Sequence, residues 1–419
     1  MSDISVIARH AVTVLAGQLA VMAFGVTDTI VAGRFSADAL AALSVASAVF
    51  VSVYVSLMGV LQALLPVWAE QHGRGETAAI GQSFRQSLYL AAAASVLGMG
   101  VLLFPEPLLR LTEVPDAMRE SVRDYLIIVG WALPSALFFR LYTTLNQALG
   151  RPQLVTWIQV GALVLKVPLS IWFTFGGWGI APQGAAGCAW ATLLVDYAIA
   201  IAAVVLMRTQ GFYRPLHLWQ RLEAPDWPRL REFLRLGIPA GLAIGVEVTS
   251  FTLVALFVAR QGTLSAASHQ IAANLAAVCY MLPLSLGIAV SARASWWRGQ
   301  GQELRAQQVA WLGVRLALAC GIVLCAAMLL TRHWLPQVYT GDAAVMAVLW
   351  CCCSGCPHGL ATSLGGAVPG GGQRAMRVHF CAAQLARDAG TAARLLHLAV
   401  GRWPRGWVLA CLHKQSYFR

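Results

Sequence analysis

A carboxylate in the middle of a long apolar run is costly, and two such acids stand at matching places in this chain. They are Asp28, within AFGVTDTIVAG, and Glu247, within GIPAGLAIGVEVTSF. At the centre of a bilayer an ionised acid costs about 2.5–3.5 kcal/mol on insertion scales unless it is protonated, paired or faces water. Each is therefore a candidate binding point for a proton or another cation, the plainer reading being an anchor between helices. Asp196 and Lys166 lie inside two further apolar runs, and Lys166 and Lys414 are the only lysines. A lysine so placed snorkels, pairs or functions, and Asp196 is one partner it could take. His269, Gln270 and Asn274 open another run, SAASHQIAANLAA. Hydrogen bonding between helices is their plain role, and cavity lining the alternative. No nucleophile–base pair, phosphate loop or ATP-binding motif accompanies these residues, which points away from an enzyme.

Composition says what must position them. The chain has 419 residues, of which 58% are hydrophobic and only 11% charged, and its mean hydropathy is +0.66. Soluble domains carry roughly 25% charged residues, so a soluble surface cannot be built from this chain. Apolar runs over 11–33, 40–66, 87–106, 121–146, 155–177, 183–207, 233–258, 266–292 and 309–331 predict membrane-spanning helices, and a tenth begins near Ala343. Each is close to the roughly 20 residues that cross a bilayer. Pro168, Pro239 and Pro283 fall inside such runs, where a kink frees carbonyls to line a cavity. The first residues, MSDISVIARH, lack a basic region ahead of a short apolar core, so the first span is expected to remain as an anchor.

Net charge is +12. The arginines interleave with the apolar runs instead of forming one patch, and no groove-reading motif is present, so nucleic acid is not the expected partner. Arg74, Arg85, Arg151, the cluster Arg208, Arg214, Arg221, Arg229 and Arg231, then Arg298 and Arg305 fall in alternate loops. The bias of arginine toward the cytoplasm puts the N-terminus and the 208–231 loop on that side. Trp219 and Trp227 sit among those arginines, the pattern of an interfacial linker.

An internal repeat divides the chain. Gly73-Arg74-Gly75-Glu76 and Gly299-Gln300-Gly301-Gln302 lie 226 positions apart, as do Leu109 and Leu335, Asp116 and Asp342, and Ala41-Ala42 and Ala267-Ser268. Duplicated halves are a carrier architecture, with the site at their interface. A second half of equal length would extend to about residue 446, beyond this chain's 419. From Trp350 the character changes: the last 69 residues hold six cysteines, ten glycines, eight basic residues and a single acid, Asp388. Cys353, Cys356 and His358 have metal-like spacing but lack a second ligand pair. A shift of reading frame near codon 350 is the preferred explanation, a cytoplasmic tail the other.

The stretches VTDTIVAGRFSADALAALSVA, ALLPVWAEQHGRGE, GIPAGLAIGVEVTSF, AASHQIAANLAAVCYMLPLSLGIAVS and LPQVYTGDAAV resemble the multidrug and toxic compound extrusion (MATE) family, in its NorM-like branch. The resemblance runs from about residue 11 to 349. It implies an all-α, polytopic membrane protein in two six-helix lobes, with about four C-lobe helices recognisable here. The lobes are expected at 1–207 and 232–349, joined by the 208–231 linker, with an aberrant segment at 350–419. It further implies a monomeric multi-pass carrier of the inner membrane. Such a carrier antiports amphipathic, cationic drugs against H+ or Na+ by alternating access, with no cofactor beyond the coupling ion. Asp28 matches the N-lobe acid associated with coupling, Glu247 the acid of the C-lobe cation site, and Thr192 a polar position lining the N-lobe cavity. The family has proline at the place of Thr13 and asparagines at those of Lys166 and Ser170, and Ser295 with Trp296-Trp297-Arg298 interrupts a glycine-containing stretch. The tenth-helix tyrosine and aspartate of the C-lobe site have no counterpart after Trp350, and Asp388 is misplaced for that role. Rival readings are a non-transporting remnant of such a carrier, and a lipid or oligosaccharide flippase of related architecture, for which Lys166 and Arg140 would supply cationic cavity charge.

Overall fold

The computed structural model describes residues 3–106, 116–177, 181–259 and 263–331 and, within them, all side chains except those at 37, 116–117, 251–276 and 329. The described secondary structure is helical. In chain order the helices are α1 (Asp3–Phe35), α2 (Ala37–Gln62), α3 (Leu65–Gly73), α4 (Thr77–Leu103), α5 (Asp116–Ala148), α6 (Pro152–Phe175), α7 (Ala185–Thr209), the 3-10 turn Gly211–Leu216, α8 (Trp227–Ala259), α9 (Thr263–Gly299) and α10 (Glu303–Thr331). Among the described residues nine stretches are long and apolar enough to cross a membrane. They fall where the nine complete apolar runs are read from sequence; the tenth, from Ala343, lies outside the described residues, as does everything after Thr331.

The buried core is mostly apolar, but α6 turns its polar residues inward and an apolar face outward, the arrangement lipid selects. On α6 the buried residues Val155, Gln159, Ala162, Lys166, Ser170 and Thr174 recur every three or four positions on one face. Trp157, Val160, Val164, Val167 and Ile171 have the same spacing and are exposed. In water such a face would draw the chain into aggregates; in hydrocarbon it costs nothing. With helical backbone bonds satisfied internally, only the side chains decide which face turns inward.

The described residues divide into two compact units, one within 3–245 and 281–317, the other within 246–280 and 318–331. In the first unit α5 is the most enclosed helix and packs on α2, α4 and α7, while α1 packs on α6 and α6 on α7. Thr156 ties α6 to α1 by donating to the Thr13 carbonyl at 2.8 Å. The second unit holds the C-terminal part of α8, the N-terminal part of α9 and the C-terminal part of α10.

The repeat recognised in sequence is also a repeat of backbone geometry. Gly75 has φ +75° and Gly301 φ +73°, a left-handed conformation that glycine adopts without a Cβ clash. Around Gly75 the amides of residues 74, 75 and 76 donate to the carbonyls of 70, 72 and 71; around Gly301 the amides of 300, 301 and 302 donate to those of 296, 298 and 297. Every bond is displaced by 226 positions. The two turns also touch. A Cβ on Gly73 would overlap the Trp296 carbonyl, and one on Gly299 would overlap the Glu70 carbonyl, while the Gln300 side-chain Nε2 donates to the Gly73 carbonyl at 2.6 Å.

One helix, α4, exceeds its apolar run at an end where polar residues are enclosed by protein. α4 begins at Thr77, ten residues before the apolar run, and Ser83, Arg85 and Gln86 in that extension are buried. Arg85 and Gln86 hold the connection between α7 and α8, residues 210–226, which contains the 3-10 turn. Arg85 donates to the His217 carbonyl at 2.6 Å and to Glu223 Oε1 at 2.6 Å. Gln86 donates to the Ala224 carbonyl and accepts from the Asp226 amide, and Tyr89 donates to the Glu223 carbonyl. Hydrogen bonds from Arg85 and then Gln82 hold the Glu223 carboxyl below its ordinary range. Asp226 caps α8 by accepting from the Arg229 amide at 3.3 Å. Trp219 lies under Arg208, whose guanidinium is 4.4 Å from the ring centroid.

Candidate functional site

Four-residue spacing on two adjacent helices builds the site. Residues four apart project from one helix face, so Lys166, Ser170 and Thr174 line up on α6, and Cys188, Thr192 and Asp196 on α7. Between these stripes α1 presents Asp28, which is buried. Lys166 Nζ lies 3.0 Å from Asp28 Oδ1, 2.5 Å from Thr192 Oγ1 and 3.3 Å from the Cys188 carbonyl oxygen. Ser170 donates to the same Asp28 oxygen at 3.0 Å. Thr192 in turn donates to the Cys188 carbonyl at 2.9 Å, and Thr174 contacts the Cys188 thiol at 3.3 Å.

The site is dry at its centre. Only 1% of the Lys166 side chain and 11% of the Asp28 side chain are exposed. Taking two charges out of water costs several kcal/mol per ion, which close pairing and further hydrogen bonds offset. The partner of Lys166 is Asp28, not Asp196. Asp196 is half-buried and lies within electrostatic reach of both, but among the described residues it makes no ion pair. Another buried cation, Arg140 of α5, is 6% exposed. It donates to Gln62 Oε1 on α2, its Nε has no hydrogen-bond partner, and among the described residues it pairs with no acid. Tyr54 feels the charges of both Arg140 and Asp196.

The structure thus brings Asp28, Lys166 and Thr192 together, with Asp196 nearby. Ser170 and the Cys188 carbonyl complete the cluster. Their signal was the four-residue spacing with Lys166 and Thr192, and a backbone carbonyl leaves no trace in a residue type. Glu247 lies on α8, partly buried, with the Tyr280 phenol in electrostatic reach. The side chains of His269, Gln270 and Asn274, though on helix α9, lie outside those described. Cys353, Cys356, His358 and Asp388 likewise fall outside the described residues.

A helical membrane protein with an ion pair buried between three of its spans, α1, α6 and α7, has the features of a carrier. The family model described as MatE matches residues 14–172 and 239–349. The chain is 36% identical over 341 residues to the "Probable multidrug resistance protein NorM" of Aromatoleum aromaticum, covering 81% of this chain and 73% of that protein. It is 31% identical over 340 residues to the "Multidrug resistance protein PmpM" of Pseudomonas aeruginosa, covering 81% and 71%. The crystal structure of the eukaryotic MATE transporter AtDTX14 shares its fold with a TM-score of 0.77 at 16% identity, over 93% of this chain and 84% of that one. The chain belongs to the MATE family. It is a multi-pass membrane protein of a transporter family, not an enzyme.

Proposed function

We propose that this chain is a secondary active exporter of amphipathic organic cations, exchanging them for H+ or Na+ by alternating access. The observation that carries this reading is the buried Asp28 carboxylate, held at the meeting of α1, α6 and α7. An acid there binds either a coupling ion or a cationic substrate, and competition between the two links their movements. The names of the relatives from Aromatoleum aromaticum and Pseudomonas aeruginosa support a drug as the substrate. We place the protein in the inner membrane as a monomer, with its N-terminus in the cytoplasm. The lobes are taken as 1–207 and 232–349, with Glu247 as the coupling acid of the second lobe and Thr192, Asp196, His269, Gln270 and Asn274 as cavity-lining groups. Ethidium or fluoroquinolone efflux from a pump-deficient host tests the reading. Efflux should fall in Asp28→Asn and in Glu247→Gln, and unchanged efflux in both variants excludes their coupling roles.

One observation favours a second reading, a non-transporting remnant of such a carrier. The family match ends at residue 349, one position before the sequence loses its membrane-length apolar runs. A shift of reading frame near codon 350 accounts for this. Translation of the two neighbouring frames of the gene tests it, and apolar helices in neither frame would discard it.

A further inference from the structure

The surroundings of Lys166 are those of a bound cation. An ammonium has three N–H donors and no acceptor, and three oxygens lie around Nζ: Asp28 Oδ1 at 3.0 Å, Thr192 Oγ1 at 2.5 Å and the Cys188 carbonyl at 3.3 Å. A carboxylate, a hydroxyl and a main-chain carbonyl are hard oxygen donors, the kind a small hydrated metal cation takes when it leaves water. The side chain is 1% exposed, so it does not snorkel, and its ammonium takes the place beside Asp28 Oδ1. The carboxylate is further committed to Ser170.

We propose that Lys166 is a tethered cation occupying the oxygen cage formed by Asp28, Thr192 and Cys188, and that it excludes sodium from the Asp28 site. Lys166 is a specificity-determining residue, and a coupling sodium does not fit among the residues present at Asp28. The proposal deepens the transport reading above and rests on it for its consequence. A cationic substrate approaching Asp28 competes with a rival held by its own side chain, whose effective concentration never falls. At this site a cationic substrate then displaces a lysine from Asp28 rather than a sodium ion.

Radiosodium binding to the purified full-length chain, at neutral pH in sodium-free detergent buffer, tests the proposal without any transport step. The unmodified protein is compared first with the double variant Asp28→Asn/Lys166→Met, which removes the pair as a unit and strands no charge. Equal sodium binding is expected, since any sodium bound elsewhere is common to both. More sodium on the unmodified protein than on the double variant overturns the proposal. In Lys166→Asn the vacated cage should gain an additional sodium ion per chain, and this gain should vanish in Asp28→Asn/Lys166→Asn. A folded, monodisperse Lys166→Asn protein that gains none also overturns it, because the cage would then not be a cation site. If Lys166→Asn does not fold, the first comparison decides. A purely structural lysine would not create a sodium site on removal. Absent efflux with this binding pattern intact would count against the transport reading alone.

Discussion

Lys166 and Arg85 are both cations shut away from solvent, with side chains 1% and 4% exposed, and each faces a carboxylate. Their acids differ. Asp28 is enclosed between α1, α6 and α7, with its side chain 11% exposed, whereas Glu223 lies in the connection between α7 and α8 with 40% of its side chain exposed. A charge left behind when the first pair is broken stays in a dry interior; a charge left behind at the second can turn to water. Arg140 is a third case, a buried guanidinium held by Gln62 without an acid among the described residues. Burial alone thus does not fix what a charge contributes; the fate of the partner left behind does.

The comparison is most exposed to failure at its interior end. Asp28→Ala strands the Lys166 ammonium and should cost about 3–5 kcal/mol, read as a fall in the thermal unfolding midpoint of the purified protein. Asp28→Asn/Lys166→Met should recover most of that loss. A midpoint no lower in Asp28→Ala than in Glu223→Ala would break the distinction. Next in size is Arg85→Ala. It leaves the His217 carbonyl without its donor and Glu223 free to hydrate, and should cost about 1–3 kcal/mol while speeding proteolysis within 210–226. Arg140→Met should be smaller still, neutral to about 1 kcal/mol, because apolar replacement of a buried charge removes its desolvation cost along with its one side-chain bond. A loss as large as that of Asp28→Ala would mean that Arg140 is paired as tightly as Lys166.

The smallest effect is that of pH on the linker. The folded-state pKa of Glu223 is depressed by Arg85 and Gln82. Its contribution is therefore complete above the ordinary carboxylate range and is lost as pH falls through the depressed value. Amide hydrogen exchange in 217–226, corrected for intrinsic rates, should increase at that acid limb and not on the alkaline side. Glu223→Gln should abolish the pH dependence.

The helices were legible because length and apolarity suffice to mark a span, and the departure at the start of α4 falls where protein surrounds the chain. Residues 77–86 are polar yet helical because Arg85 and Gln86 are spent on the α7–α8 connection, a partner more than 130 positions away that no local pattern announces. At the site, Asp28 and Lys166 were visible as charged residues inside apolar runs, and Thr192 only through the family resemblance. The choice between Asp28 and Asp196 as the partner of Lys166 was not visible. It depends on which helix lies beside α6 at that depth, and α1 brings Asp28 to 3.0 Å. The Cys188 carbonyl was invisible in principle, since every residue carries one. The 226-residue repeat was legible from matches in register that include the glycine turns, Leu109 with Leu335 and Asp116 with Asp342, and the matching left-handed turns at Gly75 and Gly301 give it its physical content.

The contact between those two turns has a consequence for how the molecule is probed. Where Gly73 meets the Trp296 carbonyl and Gly299 meets the Glu70 carbonyl, main chain lies on main chain and no side chain is there to remove. An alanine scan, designed as a survey by subtraction, works at these two positions by addition. Each single methyl forces apart segments separated by 226 positions, so apparent importance there measures lost closeness and not lost chemistry. Neither glycine can be enlarged without reference to the other, which makes the pair a single unit of constraint for anyone redesigning, or tracing the descent of, this chain.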